Sequence, residues 1–143
     1  MDVDPVIVIA PEGIEYHGNS TIYFNDETKF QGDLVNTGET LCELEMEKCC
    51  IQIESPIRGV VTDIFVQDET EIQEGIPLYE LTEINSNEDT IRAAMKILAK
   101  RFPDSTSQFQ KVLEKVDNEN LLACLPVIGR GTPQEIIMTL ANG

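Results

Sequence analysis

The chain has 143 residues, enough for one ordinary domain or a small domain with an appendage. Its 41% hydrophobic content suffices for a core, but no run approaches the roughly 18 apolar residues of a membrane span, so no membrane partner is expected. A net charge of −16 argues against nucleic acid as a partner, because phosphates need a basic patch. The charge is unevenly placed: residues 1–83 carry 19 acids against three bases, Lys29, Lys48 and Arg58, whereas residues 84–143 carry seven of each. The first half should therefore meet partners with basic surfaces. The opening Met-Asp-Val-Asp-Pro lacks the basic and apolar regions of a signal peptide, so a cytoplasmic protein is expected. Cys42, Cys49, Cys50 and Cys124 show no C-x-x-C spacing, and His17, the only histidine, is distant from them; a zinc site is not expected. Most or all of the four thiols read as small buried hydrophobes.

In chain order, "VIVIAP" (6–11), "STIYF" (20–24), "TLCELEM" (40–46), "CCIQIES" (49–55), "GVVTDIFV" (59–66) and "IPLYELTE" (76–83) read as short strands. Glycine, proline and acid-rich turns separate them. Together they predict a mainly β unit over 1–83, a flattened barrel or sandwich. An internal repeat refines this: "DLVNTGETLCEL" (33–44) aligns without gaps to "TEIQEGIPLYEL" (70–81). Two such copies predict two four-stranded-type sheets related by a pseudo-two-fold axis. The approach to the first copy is slightly longer than its counterpart, and the excess is placed at Asn25–Lys29. Where the first copy has Gly32, the second has Glu69, so a different turn shape is expected there.

After "TEINSNED" (82–89) the period becomes helical, predicting a small all-α module over 84–143. Ile91, Met95, Leu98 and Phe102 share one face, and Pro103 stops that helix. Phe109, Val112, Leu113 and Val116 form a second stripe. Leu121, Leu122 and Leu125 form a short third one before Pro126. "GRGTP" reads as a turn around Arg130. "TPQE" (132–135) starts a last helix, with Thr132 as N-cap and Glu135 closing a capping box. The tail is too short for an enzyme and reads as a packing, docking or self-association module.

The most informative stretch is "LCELEMEKCCIQIESP" (41–56). Pairing its strands about a turn at Met46–Cys49 sets Glu45 opposite Cys50, Leu44 opposite Ile51 and Cys42 opposite Ile53. Cys42, Leu44, Ile51 and Ile53 then face the core, and Glu43, Glu45, Gln52 and Glu54 face water. A one-residue slip would turn the acids inward, so the alternation fixes the register. Glu47 and Lys48 are left at the tip, where Asn-Gly or Asp-Gly is the usual choice. The tip residues read as chosen for their side chains.

Here the sequence resembles the lipoyl/biotinyl carrier family. In that family a strand of the type L-x-E-I-E leads to T-D-K-A, and the next strand ends in S-P-x-x-G. Glu45, Glu47 and Lys48 fall on the acid, acid and lysine of that pattern, and Ser55, Pro56 and Gly59 on its S-P-x-x-G. Gly32, Asp33, Val35, Gly38 and Leu41 match the preceding G-D-x-V-x-x-G-x-x-L. The resemblance covers roughly residues 5–82. It implies covalent lipoate on Lys48, with Glu45 and Glu47 as part of the frame a lipoate ligase or lipoyl transferase reads. It also implies enzyme components of the 2-oxoacid dehydrogenase type as partners, and a loop after the first strand lying beside the lysine. We place that loop at Asn25–Lys29. Cys49, standing where the family has alanine, is read as a small inward residue.

A free-standing, non-catalytic lipoyl carrier with a helical C-terminal extension is thus the leading reading. An unmodified lipoyl-like interaction module stays open, because Met46 departs from the usual threonine and the outer face is acidic. A biotin carrier also stays open but is disfavoured: biotin carriers resemble A-M-K-M, and the neighbours here are Glu47 and Cys49. His17 reads as a loop residue.

Overall fold

The computed structural model describes residues 5–12, 20–46 and 49–142. Among the described residues, seven strands come first: β1 (Val6–Ile9), β2 (Thr21–Tyr23), β3 (Leu34–Val35), β4 (Thr40–Glu45), β5 (Cys50–Glu54), β6 (Gly59–Ile64) and β7 (Pro77–Glu83). Four helices follow: α1 (Asn87–Arg101), α2 (Thr106–Leu113), α3 (Asn118–Arg130) and α4 (Pro133–Asn142). The strands form two antiparallel sheets, one in the order β1-β7-β6-β3 and one in the order β2-β4-β5. Their inner faces share a core of Ile22, Val35, Leu41, Cys42, Leu44, Ile53, Val61, Ile72, Leu78, Tyr79 and Leu81. Among the described residues the second sheet has three strands rather than the expected four. The counterpart of β3 is reduced there to one bridge, Thr21 to Glu71, and a hydrogen bond from Ile72 N–H to the Ser20 carbonyl.

The pseudo-two-fold is visible in the backbone hydrogen bonds. Val61 N–H donates to Asp33 O and Gly32 N–H to Val61 O, at 2.9 and 2.8 Å. In the second copy Ile22 N–H donates to Thr70 O and Glu69 N–H to Ile22 O, at the same two distances. Both turns are also closed by a side chain: Asp33 Oδ2 accepts from Phe30 N–H, and Thr70 Oγ1 from Gln67 N–H. The extra length of the first copy sits where expected, in a turn in which Thr28 Oγ1 accepts from Asn25 N–H at 2.7 Å. The expectation about Glu69 is corrected. Its φ of 67° matches the left-handed conformation of Gly32 at 95°, so the turn keeps its shape without a glycine. The shared hydrogen bonds hold it there against a left-handed penalty of about 1–2 kcal/mol.

The buried Tyr79 crosses the core from one sheet to the other. Its hydroxyl lies 2.9 Å from the Lys29 carbonyl oxygen and 3.0 Å from that of Leu41. Burial, and then the neighbouring Cys42, push its phenol above its ordinary pKa.

The helices build a second core with Val60 and Ile84 from the β side and Ala93, Ala94, Ile97, Leu98, Phe109, Leu113, Leu121, Leu125, Ile128, Ile136 and Leu140 from the helices. In α1 the most buried line is Thr90, Ala93, Ala94, Ile97 and Leu98, rotated from the predicted stripe; Ile91, Met95 and Phe102 are only partly buried. Small alanines on that line let α1 lie close against β6 and β7. The helix does end before Pro103, which opens a short 3₁₀ turn. Thr132 caps the last helix as predicted, its Oγ1 accepting from Glu135 N–H at 3.2 Å; the Glu135 carboxylate closes on the Thr132 hydroxyl, which donates to Oε1 at 3.1 Å, rather than on the backbone N–H of a full capping box.

Two expectations for the third helix are corrected. It runs through Pro126 to Arg130, and Arg130 sits in its last turn rather than in a loop. Tertiary packing overrides the proline. The backbone of Leu125 and Pro126 lies directly against Gly32, and Gly129 lies directly against the Gln31 carbonyl, so a Cβ on either glycine would collide with backbone. Arg130 then pairs with Asp33 at 2.7 Å and lies over the Phe30 ring, while Arg101 donates to the carbonyls of Ile128 and Gly131.

On the outer face of the four-stranded sheet, the Glu80 side chain is only 7% exposed and its carboxylate is held by Lys96 and Lys100 from α1. Lys100 also reaches Asp63 at 3.0 Å. Burial opposes ionisation of Glu80, but the two ammonium groups outweigh it and keep its pKa below the ordinary carboxylate value of 4.5.

Two outcomes follow for stability. Gly129→Ala should lower unfolding free energy by about 2–4 kcal/mol in urea titrations, because neither backbone can retreat without breaking the docking of α3. Glu80→Gln should cost about 1–2 kcal/mol near pH 7, where the native carboxylate is ionised and paired. A lowered folded pKa gives stability that is present above pH 4.5 and lost as pH falls through the folded value. The gap between Glu80→Gln and the unaltered chain should therefore close on acidification, and a gap that widens would contradict the pairing.

Candidate functional site

The β4–β5 ladder has the register read from the sequence: Glu45 opposite Cys50, Leu44 opposite Ile51, Glu43 opposite Gln52 and Cys42 opposite Ile53. A bulge between Thr40 and Cys42 lets Leu41 join the core next to Cys42. The last described link before the tip is Met46 N–H to the Cys49 carbonyl, at 2.9 Å. In sequence two residues join Met46 to Cys49. These are Glu47 and Lys48, and the placements predicted for them lie outside the described residues, as does that of His17.

Cys42 and Leu44 are buried, while Glu45, Gln52 and Glu54 are exposed and Glu43 is half-buried, so the two faces are as expected. Because β2 pairs with β4, the outer face extends sideways. Thr21 stands opposite both Glu45 and Glu71, and Tyr23 stands opposite Glu43. Glu45 thus belongs to a row with Glu71, Thr21 and Cys50. Sequence reasoning did not place Glu71 or Tyr23 here; the signal lay in the repeat, which pairs the 70–72 stretch with β2 just as 33–35 pairs with β6. On the other strand of the hairpin, Ser55 Oγ donates to the Ile57 carbonyl at 2.7 Å, which fixes the chain as it leaves through Pro56.

The Asn25–Lys29 loop does not lie beside the Met46–Cys49 end of the hairpin. Lys29 N–H donates to the Leu41 carbonyl, and its ammonium is 3.4 Å from Glu39, at the far end of β4. Leu41 and Glu45 are separated by about 13 Å of strand. The cause is the antiparallel pairing of β2 with β4, which carries the chain away from Glu45 as it passes from Thr21 to Tyr23. The first described strand is β1, and β2 begins, at Thr21, opposite Glu45 on the Met46–Cys49 side.

The cysteines divide into two kinds. Cys42 and Cys124 are buried, and Cys49 and Cys50 are exposed, so Cys49 is not the inward residue expected. Burial pushes the Cys42 thiol up to about 12, and also raises Cys124. Among the described residues, no group of His, Cys, Asp and Glu could hold a metal ion, and no helix is long and apolar enough to cross a membrane.

Two sheets, a repeated turn and a lysine hairpin with acids outside form a recognisable whole. Residues 20–81 match the family model described as biotin-requiring enzyme, which covers biotin and lipoyl domains. This segment is a lipoyl/biotinyl domain. The chain is also similar to the dihydrolipoyllysine-residue succinyltransferase component of the mitochondrial 2-oxoglutarate dehydrogenase complex. The human and bovine proteins are 38% identical to it over 53 residues, and the mouse protein 36%. The match takes in 37% of this chain and 12% of each relative's length. Among the described residues, the lipoyl/biotinyl domain is followed by four helices that share a core with its sheet.

Thiol accessibility checks this arrangement. Native protein should react with two equivalents of an aromatic disulfide reagent, at Cys49 and Cys50, and denatured protein with four. Native labelling of Cys42, located by peptide mass, would contradict the packing of β4.

Proposed function

We propose that this chain is a lipoyl carrier in which the ε-amine of Lys48 forms an amide with the carboxyl of lipoic acid. The observation that carries the reading is the β4–β5 ladder. Its register runs to the Met46–Cys49 link with the core residues on one face and Glu43, Glu45 and Glu54 on the other. The lysine lies in the two-residue stretch joining those strands, as the attachment hairpin of the family requires. The relatives' own name specifies a dihydrolipoyllysine residue, which favours lipoate over biotin. The neighbours of Lys48 favour it too, since Glu47 and Cys49 replace the paired methionines of a biotin site.

In this reading the bound group would supply a dithiolane that accepts an acyl group and electrons. The chain's own residues do the rest. The rigid ladder sets the base of the arm, and tethering raises its local concentration at successive enzymes. Glu45, exposed at the end of β4, and Glu47 form the acidic frame for a lipoate ligase or lipoyl transferase. Components of a 2-oxoacid dehydrogenase-type system are the proposed exchange partners, and the chain acts as a carrier rather than as an enzyme by itself.

Incubation with lipoate, ATP and a lipoate ligase tests this, read by intact mass and peptide mapping. The unaltered chain should gain one lipoyl group on residue 48, and Lys48→Arg should gain none while keeping its circular dichroism and melting temperature. Glu47→Lys offers a second amine one position early; modification should fall sharply and still map to residue 48. No mass gain by the unaltered chain, even with excess ligase, would favour the unmodified interaction module.

A further inference from the structure

The helical half carries seven bases, and the fold uses five of them internally. Arg92 pairs with Asp89, Lys96 and Lys100 hold Glu80, Arg101 binds the end of α3, and Arg130 pairs with Asp33. Lys111 and Lys115 remain, exposed and without an acidic partner among the described residues. Lys111, on α2, and Lys115, in the turn that follows it, line a groove against α4 together with Val112, Val116, Leu140 and Ala141.

The groove continues onto an apolar surface. After Glu135, α4 reads Ile-Ile-Met-Thr-Leu-Ala-Asn, with no charge. Ile136 and Leu140 are buried, but Ile137 is 39% exposed and Met138 64%. Ile137 and Met138 lie four and three positions before Ala141, so all three share one helix face. A helix that is apolar on both its inner and outer faces is ordinarily covered. The protein's charge limits what covers this one. Acidic segments are repelled by the rest of a chain of charge −16, and Lys111 and Lys115 are the local exception.

We propose that the α2–α4 groove is a docking site for an acidic amphipathic helix of a partner protein. Its apolar side lies on Val112, Val116, Ile137 and Met138, and its carboxylates lie on Lys111 and Lys115. This is recognition of a helix in a groove, with apolar anchors for affinity and the lysine pair for register and choice of partner. The site is separate from the lipoyl hairpin and would let the helical extension hold the carrier to another protein.

The probe is a fluorescein-labelled helical peptide with leucines at i, i+3, i+4 and i+7 and glutamates on both flanks, titrated against the full chain. Saturable binding is expected, weakened by added salt, with amide shift changes in α2 and α4. The same peptide with lysine flanks should not bind there. Lys111→Glu with Lys115→Glu should weaken binding at least about tenfold, as two attractive charge contacts become repulsive. Lys111→Gln with Lys115→Gln, which keeps helix propensity, should weaken it less; it decides the matter if the reversal unfolds the chain. Absent binding, equal binding by the glutamine variant, or shifts mapping to the β domain would overturn the proposal. So would a concentration-dependent dimer abolished by Met138→Ser, because the occupant would then be a second copy.

Discussion

The hairpin depends on one constraint: the two faces of the β4–β5 ladder cannot be exchanged. A slip of one residue would bring Glu43 and Glu45 into the core and expel Cys42, Leu44 and Ile53. Burying carboxylates without partners costs several kcal/mol each, and expelling fully buried aliphatic side chains costs about 1.5–3 kcal/mol each. No turn residue needs to supply that specificity. The positions between Met46 and Cys49 are thereby released from the usual demand for glycine or asparagine.

The same economy explains where the repeat diverges. Gly32 and Glu69 hold equivalent left-handed positions in equivalent turns, yet only one is glycine. Conformation alone does not decide the difference, because the turn's hydrogen bonds tolerate Glu69. The helices decide it. α3 lies against Gly32 so closely that no Cβ fits, whereas Glu69 is exposed and its side chain enters water. The pseudo-symmetry of the β domain is thus broken by what is packed on it. Gly32 serves both the turn and the docking of α3.

The features legible in the sequence were those written in local periodicity. Alternation along 41–54 gave the register pair by pair, the 37-residue offset between 33–44 and 70–81 gave the symmetry, and Thr-Pro-Gln-Glu gave the last helix's start. What escaped was set by contacts distant in sequence. Glu80 alternates outward from β7 like a solvent residue, and only α1 makes it buried. Pro126 looks like a helix end until Gly32 and Gly129 are seen to admit α3 as a close-packed continuous rod. Cys49 reads as inward because it stands where the family has alanine, but it lies before the strand, which begins at Cys50, and it is exposed. The position of Asn25–Lys29 required knowing which strand β2 pairs with, and in which direction.

Packing the helices on one sheet also sorts the charge. The bases of α1 and α3 neutralise Glu80, Asp63 and Asp33, all on or beside the four-stranded sheet. The helical half is neutral as a sequence, but in the fold it spends its cations on the other half's acids. The outer face of the three-stranded sheet receives no such compensation from the helices among the described ion pairs. Glu45, Glu54 and Glu71 stay exposed there, beside Tyr23. The excess negative charge is therefore concentrated on the sheet that carries the lysine hairpin. A basic surface approaching this protein would be steered toward that sheet before any specific contact forms, and the attraction weakens beyond about 8–10 Å at physiological salt. The covered sheet supplies rigidity and the bare sheet supplies direction.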